Sequence, residues 1–409
     1  MRLYLAGPSN NLLKKSIKIT GSKSESNRSL LLSALYNGIQ IENLSNSDDA
    51  QVMEQGLQKT TGTVDIHHAG TAMRFLTGYF ATIEGGDVIL TGSKRMTERP
   101  IKILVDALNT MGADISYVKD EGYPPLKIKG KRISKNKVSL PANISSQYIS
   151  SLLLIAPSLE NGLVLELVGK ITSVPYINMT LGLLNEIGIE TSFEGNIIKV
   201  AAKKTVEPKI LVVESDWSSA SYFYSLVALA DLGSSICLSA YKKDSLQGDS
   251  VLSEIYRDFG VETIFGKNEI ILNKVSDVKK TVIECDLANA PDIAQTIAVT
   301  CFGLGVGCNL IGLHTLKIKE TDRLEALYTE LSKLGCAISV TDKTLTIKPT
   351  SNINRDVAID TYNDHRMAMA FAPLAMKTQL YINDAEVVSK SYPDFWNDIK
   401  SLEFQVKEL

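Results

Sequence analysis

The chain has few metal-binding and redox side chains and no long apolar run. Its 409 residues include 4 His and 5 Cys. His67 and His68 are adjacent, and neighbours on a chain do not converge on one ion without special geometry. Cys237, Cys285, Cys301, Cys308 and Cys336 are odd in number, scattered over the second half, and form no CxxC pair. They read as reduced core thiols, so no metal site and no cofactor is expected. No stretch of about 18 apolar residues occurs, and MRLYLAGPSNNLLKK has too short an apolar part for a signal peptide. A cytoplasmic location is therefore expected. A surplus of one charge is missing as well, since 43 Lys plus Arg stand against 46 Asp plus Glu, a net charge of -3. That balance disfavours a broad basic face for nucleic acid, while a local cluster can still hold a small anion. With 44% hydrophobic and 22% charged residues, the composition leaves no room for a large disordered fraction.

Nucleotide cradles are also absent. No GxxxxGK[ST] occurs, and GLGVGCNLIG has Gly303, Gly305 and Gly307 without the final glycine of GxGxxG. It follows the helical-looking IAQTIAVTCF rather than a strand, and reads as a helix end and loop.

What is present is repetition. A helix end, a glycine and a strand recur in ALNTMGADISYV, LLNEIGIETSF, IYRDFGVETIF and LSKLGCAISV, with Gly112, Gly188, Gly260 and Gly335 at intervals of about 75 residues. Each glycine sits where a helix C-cap needs a left-handed residue. Alternating apolar and polar residues follow, and TIFGKNEIIL and SVTDKTLTIK read as hairpins. The length accommodates six such α/β units, one of them cut short. The short one is the first, because QVMEQGLQKTTGTVDIHH offers too little chain for a helix, a glycine and a complete hairpin. Six units imply two domains of three, with a boundary in the polar stretch AAKKTVEPK near 201–209.

Charges stand at the wrong ends of helices. Helix starts carry partial positive charge and normally attract Asp or Glu. Here GSKSESNRSLLLSAL opens with Lys23 and Arg28, and AGTAMRFLTGYF opens with Thr71 as cap and Arg74 in its first turn. In KETDRLEALYTELSKLG, Leu324, Leu327, Leu331 and Leu334 share one face, yet Lys319 precedes the helix and Arg323 starts it. YNDHRMAMAFAPLAM repeats the pattern, with Asn363 or Asp364 as cap and Arg366 just inside. One such arginine is an ordinary surface residue; four point to a cleft where helix starts converge on small polyanions. Among nearby carboxylates, Asp292 follows Pro291 at a helix start and reads on spacing alone as an N-cap. Glu320 lies between Lys319 and Arg323, which suits a group that takes and returns a proton.

Taken together, GSKSESNRSLLLSAL, AGTAMR, TGSKRMTERPI, SSQYISSLLL, SVPYI, KETDRL and TYNDHRMAM closely resemble, in this order and over essentially the whole chain, the 3-phosphoshikimate 1-carboxyvinyltransferase (EPSP synthase) family of enolpyruvyl transferases. The resemblance implies a two-domain inside-out α/β barrel of six βαβαββ repeats, the first shortened. One domain would span 22–213, and the other 1–21 plus 214–409. It further implies transfer of the enolpyruvyl group of phosphoenolpyruvate to the 5-hydroxyl of shikimate 3-phosphate, with release of phosphate, on the route to chorismate and the aromatic amino acids. Addition gives a tetrahedral intermediate and elimination follows, without metal or organic cofactor. Glyphosate is an anionic competitor in the family. The implied partners are these two small molecules, without nucleic acid or membrane, on a monomer whose domains close on binding.

Matched by motif, the resemblance makes Asp292 the acceptor of the 5-hydroxyl proton and Glu320 the acid and base at C3, with Lys23 neutralising phosphate charge. Shikimate 3-phosphate would be held by Lys23, Ser24, Arg28, Ser145 and Ser146, together with Gln147, Ser173, Tyr176, Asp292 and Lys319. Phosphoenolpyruvate would be held by Lys23, Gly70, Arg99 and Gln147, together with Arg323, Arg366 and Lys390. Gly70 fits because a missing Cβ lets a ligand approach the backbone. His365 is assigned a structural role. Four positions depart from the family pattern: His68 replaces a common asparagine, Phe75 the usual proline, Thr315 an asparagine that touches shikimate, and Glu386 a phosphate lysine, for which Lys390 is the expected substitute. Two other readings are weighed. The sister transferase acting on UDP-N-acetylglucosamine usually has a cysteine in a loop of its first half, whereas the first cysteine here is Cys237. A non-catalytic anion-binding homologue would lose Asp292, Glu320 or Lys23, and all three are present.

Overall fold

The computed structural model of the chain describes residues 1–142, 145–169, 171 and 174–409. Two compact units emerge, a continuous one, Gly21–Val213, and a discontinuous one, Met1–Thr20 with Glu214–Leu409. Each has its own hydrophobic core.

The described strands form five four-stranded sheets and one two-stranded sheet. One pairing pattern recurs in the five larger sheets. In the continuous unit, Asp87–Thr91 runs parallel to Thr61–Asp65 and antiparallel to Leu126–Lys129, which in turn pairs antiparallel with Asp114–Tyr117. In the discontinuous unit, Gly307–Ile311 runs parallel to Val282–Asp286 and antiparallel to Leu345–Ile347, which pairs antiparallel with Ile338–Val340. The two-stranded sheet joins Ile39–Glu42 to Lys209–Val212 in parallel and has no hairpin. The stretch read as too short, QVMEQGLQKTTGTVDIHH, instead holds the end of the helix Asp48–Leu57 and the strand Thr61–Asp65 of a four-stranded sheet.

Several helices are enclosed along their whole length. Every residue of Trp217–Leu229 and of His365–Phe371 is buried, as are all of Ala294–Gly303 except its last residue. Gly70–Thr82 is nearly as enclosed. Such helices are buried on all sides, so enclosure rather than an amphipathic stripe holds them. Enclosure also leaves their first N–H groups with little water, so side chains must satisfy the helix starts.

The glycines expected at helix ends are left-handed, with φ of 111° at Gly112, 79° at Gly188, 75° at Gly260 and 92° at Gly335. TIFGKNEIIL and SVTDKTLTIK form antiparallel hairpins. GLGVGCNLIG differs from its reading as helix end and loop: the helix stops at Gly303, but Gly307–Ile311 is a strand, since apolar residues there face the core. All five cysteines are free thiols, three buried and two half-buried. No helix among the described residues is long and apolar enough to cross a membrane.

Two of the glycine caps make a contrasting pair. A Cβ at Gly112 would find only Ser134 Oγ, at 4.0 Å, whereas a Cβ at Gly260 would collide with the carbonyl oxygen of Ser276. Gly112→Ala should therefore cost roughly 1–2 kcal/mol through backbone strain alone. Gly260→Ala should cost more, and urea unfolding of the two variants will show the order; equal losses would refute the collision.

Candidate active site

The four helix-start arginines are not surface residues. Arg28, Arg74, Arg323 and Arg366 are 2%, 3%, 1% and 9% exposed. Buried guanidinium groups need partners, and these four divide by the kind they have.

In the discontinuous unit the partners are carboxylates. Arg323 opens the helix Arg323–Lys333, whose N-cap Asp322 accepts from the N–H groups of Leu324 and Glu325. Its Nη1 lies 2.8 Å from Asp292 Oδ1, its Nη2 2.8 Å from Glu320 Oε2 and its Nε 2.7 Å from Asp364 Oδ2. Arg366 directs Nη2 at Asp292 Oδ2, 3.3 Å away, and donates from Nη1 to the Asp292 carbonyl at 3.2 Å. Lys319 Nζ completes the surround of Asp292 at 3.4 Å from Oδ1. Burial alone would lower the pKa of both arginines, but Asp364, Glu320 and Asp292 hold Arg323 above its ordinary value, and Asp292 leads the groups that do so for Arg366.

Asp292 is thus not the helix cap that its spacing allows. It sits in the turn Pro291–Ile293, and the N-cap of Ala294–Gly303 is Ile293. Its carboxylate is spent on three cations instead. Asp364, in contrast, does both tasks, capping His365–Phe371 through the Arg366 N–H at 2.9 Å while holding Arg323. His365 is 2% exposed beside it, in keeping with a structural place. Lys390 Nζ donates to the Asn363 carbonyl at 2.6 Å, and Glu386 pairs with the Met1 amino group at 2.9 Å. Thr315 Oγ1 is buried without a hydrogen-bond partner among the described residues.

Sequence reasoning missed two members of this cluster. Arg366 Nη2 donates to Ser218 Oγ at 3.2 Å, and the Ser218 hydroxyl donates to Asp249 Oδ2. Ser218 lies in the first turn of Trp217–Leu229, and Asp249 in the turn Gly248–Val251. Burial, with the negative charge of Asp292 second, pushes Asp249 up to about 7. Neither QGDS nor DWSS has a spacing that marks these residues.

In the continuous unit two of the arginines rest on neutral oxygens. Arg28 donates from Nε to Thr180 Oγ1 at 2.8 Å, from Nη1 to the Ser24 carbonyl at 2.7 Å and from Nη2 to Ser150 Oγ at 2.9 Å. A longer bond from Nη2 reaches the Tyr176 carbonyl at 3.4 Å. Burial pushes Arg28 down to about 10, opposed by Tyr176 and Glu25. Phe75, where the family pattern has proline, is buried under Arg28 with its ring centroid 5.3 Å from the guanidinium carbon.

Arg74 is a brace. It lies beyond the first turn of Gly70–Thr82 and donates to the carbonyls of Gly70 at 3.2 Å and Pro100 at 3.1 Å. The cap of that helix is Ala69, without a side-chain bond. Thr71, expected as cap, instead accepts from Gln147 Nε2 at 3.1 Å. The space a Cβ would fill at Gly70 is used by Arg99, whose Nη1 would be 2.7 Å from it. Ser145 caps the helix Ser146–Ile155 by accepting from the Gln147 N–H. His68 Nδ1 meets Ser93 Oγ at 2.9 Å. Lys23, first residue of the helix Lys23–Leu35, lies 3.2 Å from Asp49 Oδ2. Ser173 lies outside the described residues.

Residues 55–399 match the family described as EPSP synthase (3-phosphoshikimate 1-carboxyvinyltransferase). A 3-phosphoshikimate 1-carboxyvinyltransferase of Bacteroides fragilis is 43% identical over 411 residues, covering 100% of this chain and 99% of its own. One of Shewanella pealeana is 36% identical and covers 94% of this chain and 96% of its own. An EPSP synthase structure from Acinetobacter baumannii superposes with a TM-score of 0.82 at 21% identity, covering 100% of both chains, and so supports the fold.

The Asp249 carboxyl gives a pH test. Its folded pKa lies above the ordinary aspartate value of 3.8, so between that value and about 7 the folded chain binds more protons than the unfolded one. Stability should fall as pH rises through this window. In Asp249→Asn that slope should flatten when urea midpoints are compared from about pH 5 to 8. A variant that keeps the full wild-type slope would show that Asp249 does not carry the proton.

Proposed function

The chain belongs to the EPSP synthase (3-phosphoshikimate 1-carboxyvinyltransferase) family, and from that premise we propose how its residues serve the transfer of enolpyruvate from phosphoenolpyruvate to shikimate 3-phosphate. The observation that carries the proposal is the cluster of Asp292, Glu320, Arg323 and Arg366, built from the KETDR and NDHRMAM motifs and bonded at 2.8–3.3 Å. It places two carboxylates around cations suited to a carboxylated phosphate ester.

The reaction needs the 5-hydroxyl to lose a proton as its oxygen attacks C2 of phosphoenolpyruvate, while C3 gains one. In the second step the intermediate loses phosphate from C2 and a proton from C3. Asp292 is the acceptor of the hydroxyl proton. Its two oxygens are oriented by Arg323, Arg366 and Lys319, so its direction is fixed before substrate arrives. Glu320, a quarter exposed and held through one oxygen by Arg323, gives a proton to C3 and later takes one back. Lys23, Arg99, Arg323, Arg366 and Lys390 bind phosphoenolpyruvate with Gly70 and Gln147. Ser24, Arg28, Ser145, Ser146, Gln147 and Tyr176 bind shikimate 3-phosphate with Ser173, Lys23, Asp292 and Lys319. Arg28 serves largely through the Ser24 and Tyr176 backbone it holds.

The same reading extends to the architecture. Six βαβαββ units in two inside-out barrels, three in Gly21–Val213 and three in the rest of the chain, are supported by the recurring sheet order, with the two-stranded sheet as the shortened unit. The protein acts as a monomer on these two small molecules.

Phosphate release should require both substrates; release with either omitted would overturn the assignment. Arg366→Ala should raise the KM for phosphoenolpyruvate by about tenfold or more, as loss of a charge-assisted contact does. Asp292→Ala should lower kcat by about a hundredfold or more, and preserved turnover would remove its role as base.

A further inference from the structure

Just before His365 the backbone takes an unfavourable path. Tyr362 and Asn363 both have positive φ, 53° and 57°. Two consecutive left-handed residues, neither of them glycine, persist only where their surroundings hold them. Three tethers do so. Tyr362 Oη donates to Glu330 Oε1 at 2.5 Å, Lys390 Nζ donates to the Asn363 carbonyl at 2.6 Å, and Arg323 Nε donates to Asp364 Oδ2 at 2.7 Å.

Two of the tethers spring from one helix, Arg323–Lys333. Arg323 is its first residue, and Glu330 follows two turns later on the same face. The Glu330 side chain is 0% exposed, a costly place for a carboxylate unless it is fully bonded. It accepts from Lys333 Nζ with both oxygens at 2.8 Å, from the Asp360 N–H at 3.1 Å and from Tyr362. A carboxylate so enclosed is a fixed point on a rigid element.

We propose that Glu330 and Tyr362 are positioning residues for the anion clamp: they fix the turn through Asn363 and so the direction in which Arg366 presents its guanidinium. This rests on the reading that Arg323 and Arg366 hold phosphoenolpyruvate. Forked recognition of a carboxylate or phosphate depends on orientation. Releasing the turn therefore weakens binding of that substrate more than it slows the chemistry.

Tyr362→Phe removes one hydroxyl and leaves Glu330 its other donors. Lys333→Met serves as a control, because it removes a different partner of Glu330, 35% exposed, without touching Tyr362. Phosphate release is measured with each substrate varied at saturating levels of the other, and folding is checked by urea midpoints. Tyr362→Phe should raise the KM for phosphoenolpyruvate about tenfold, with kcat and the KM for shikimate 3-phosphate within about threefold. Lys333→Met should lower the urea midpoint and leave both KM values within about twofold. The proposal is overturned if Tyr362→Phe leaves the KM for phosphoenolpyruvate unchanged, or if both variants raise both KM values alike, as a general loosening would. Should the wild-type chain release no phosphate with both substrates, the functional reading falls and this inference with it.

Discussion

The discontinuous unit depends on one buried guanidinium. Arg323 touches Asp292, Glu320 and Asp364, and neither side of that arrangement is tolerable without the other. A cation 1% exposed would be strongly destabilising alone, and three carboxylates gathered without it would repel one another. Each partner comes from a different stretch: the turn before Ala294–Gly303, the loop before Arg323–Lys333 and the cap of His365–Phe371. Arg366 then carries the link to a fourth stretch, through Ser218 in Trp217–Leu229. Buried helix starts need polar partners, and at Arg323–Lys333 and His365–Phe371 the carboxylates of Asp322 and Asp364 supply them.

Charge bookkeeping in the two units differs. Lys319, Arg323 and Arg366 face Asp292, Glu320 and Asp364, while Asp249 is pushed toward holding its proton near neutrality. Local balance keeps such a cluster compact. Of the two carboxylates Asp292 and Glu320, Glu320 is the more exposed, 25% against 13%. In the continuous unit Arg28 and Arg74 are bonded to hydroxyls and carbonyls. There Lys23 pairs with Asp49, and Arg99 lies against Gly70.

Some of this is written locally in the sequence and some is not. The caps at Gly112, Gly188, Gly260 and Gly335 are legible because only one residue type takes a left-handed end without strain. Cations at helix starts are legible because they oppose the local dipole. Sequence shows the violation, however, and not the oxygen that answers it. Arg28 and Arg74 therefore read like Arg323 and Arg366, although the first pair braces backbone and the second meets carboxylates. Asp292 is ambiguous for a related reason, since an aspartate after proline at a helix start suits a cap as well as a base. Asp249 and Ser218 are illegible because their partners lie more than thirty residues away or across the fold, and QGDS and DWSS have no period or spacing that marks them.

The strained turn at Tyr362 and Asn363 shows why local economy is not always followed. Glycine at either position would relieve the left-handed backbone, but it would also let the turn wander among many conformations. With non-glycine residues the turn has one good arrangement, reached only when Glu330, Lys390 and Arg323 are all in place. Strain makes the direction of Arg366 conditional on the packing of Arg323–Lys333. The orientation of Arg366 is thereby tied to the helix that also carries Arg323.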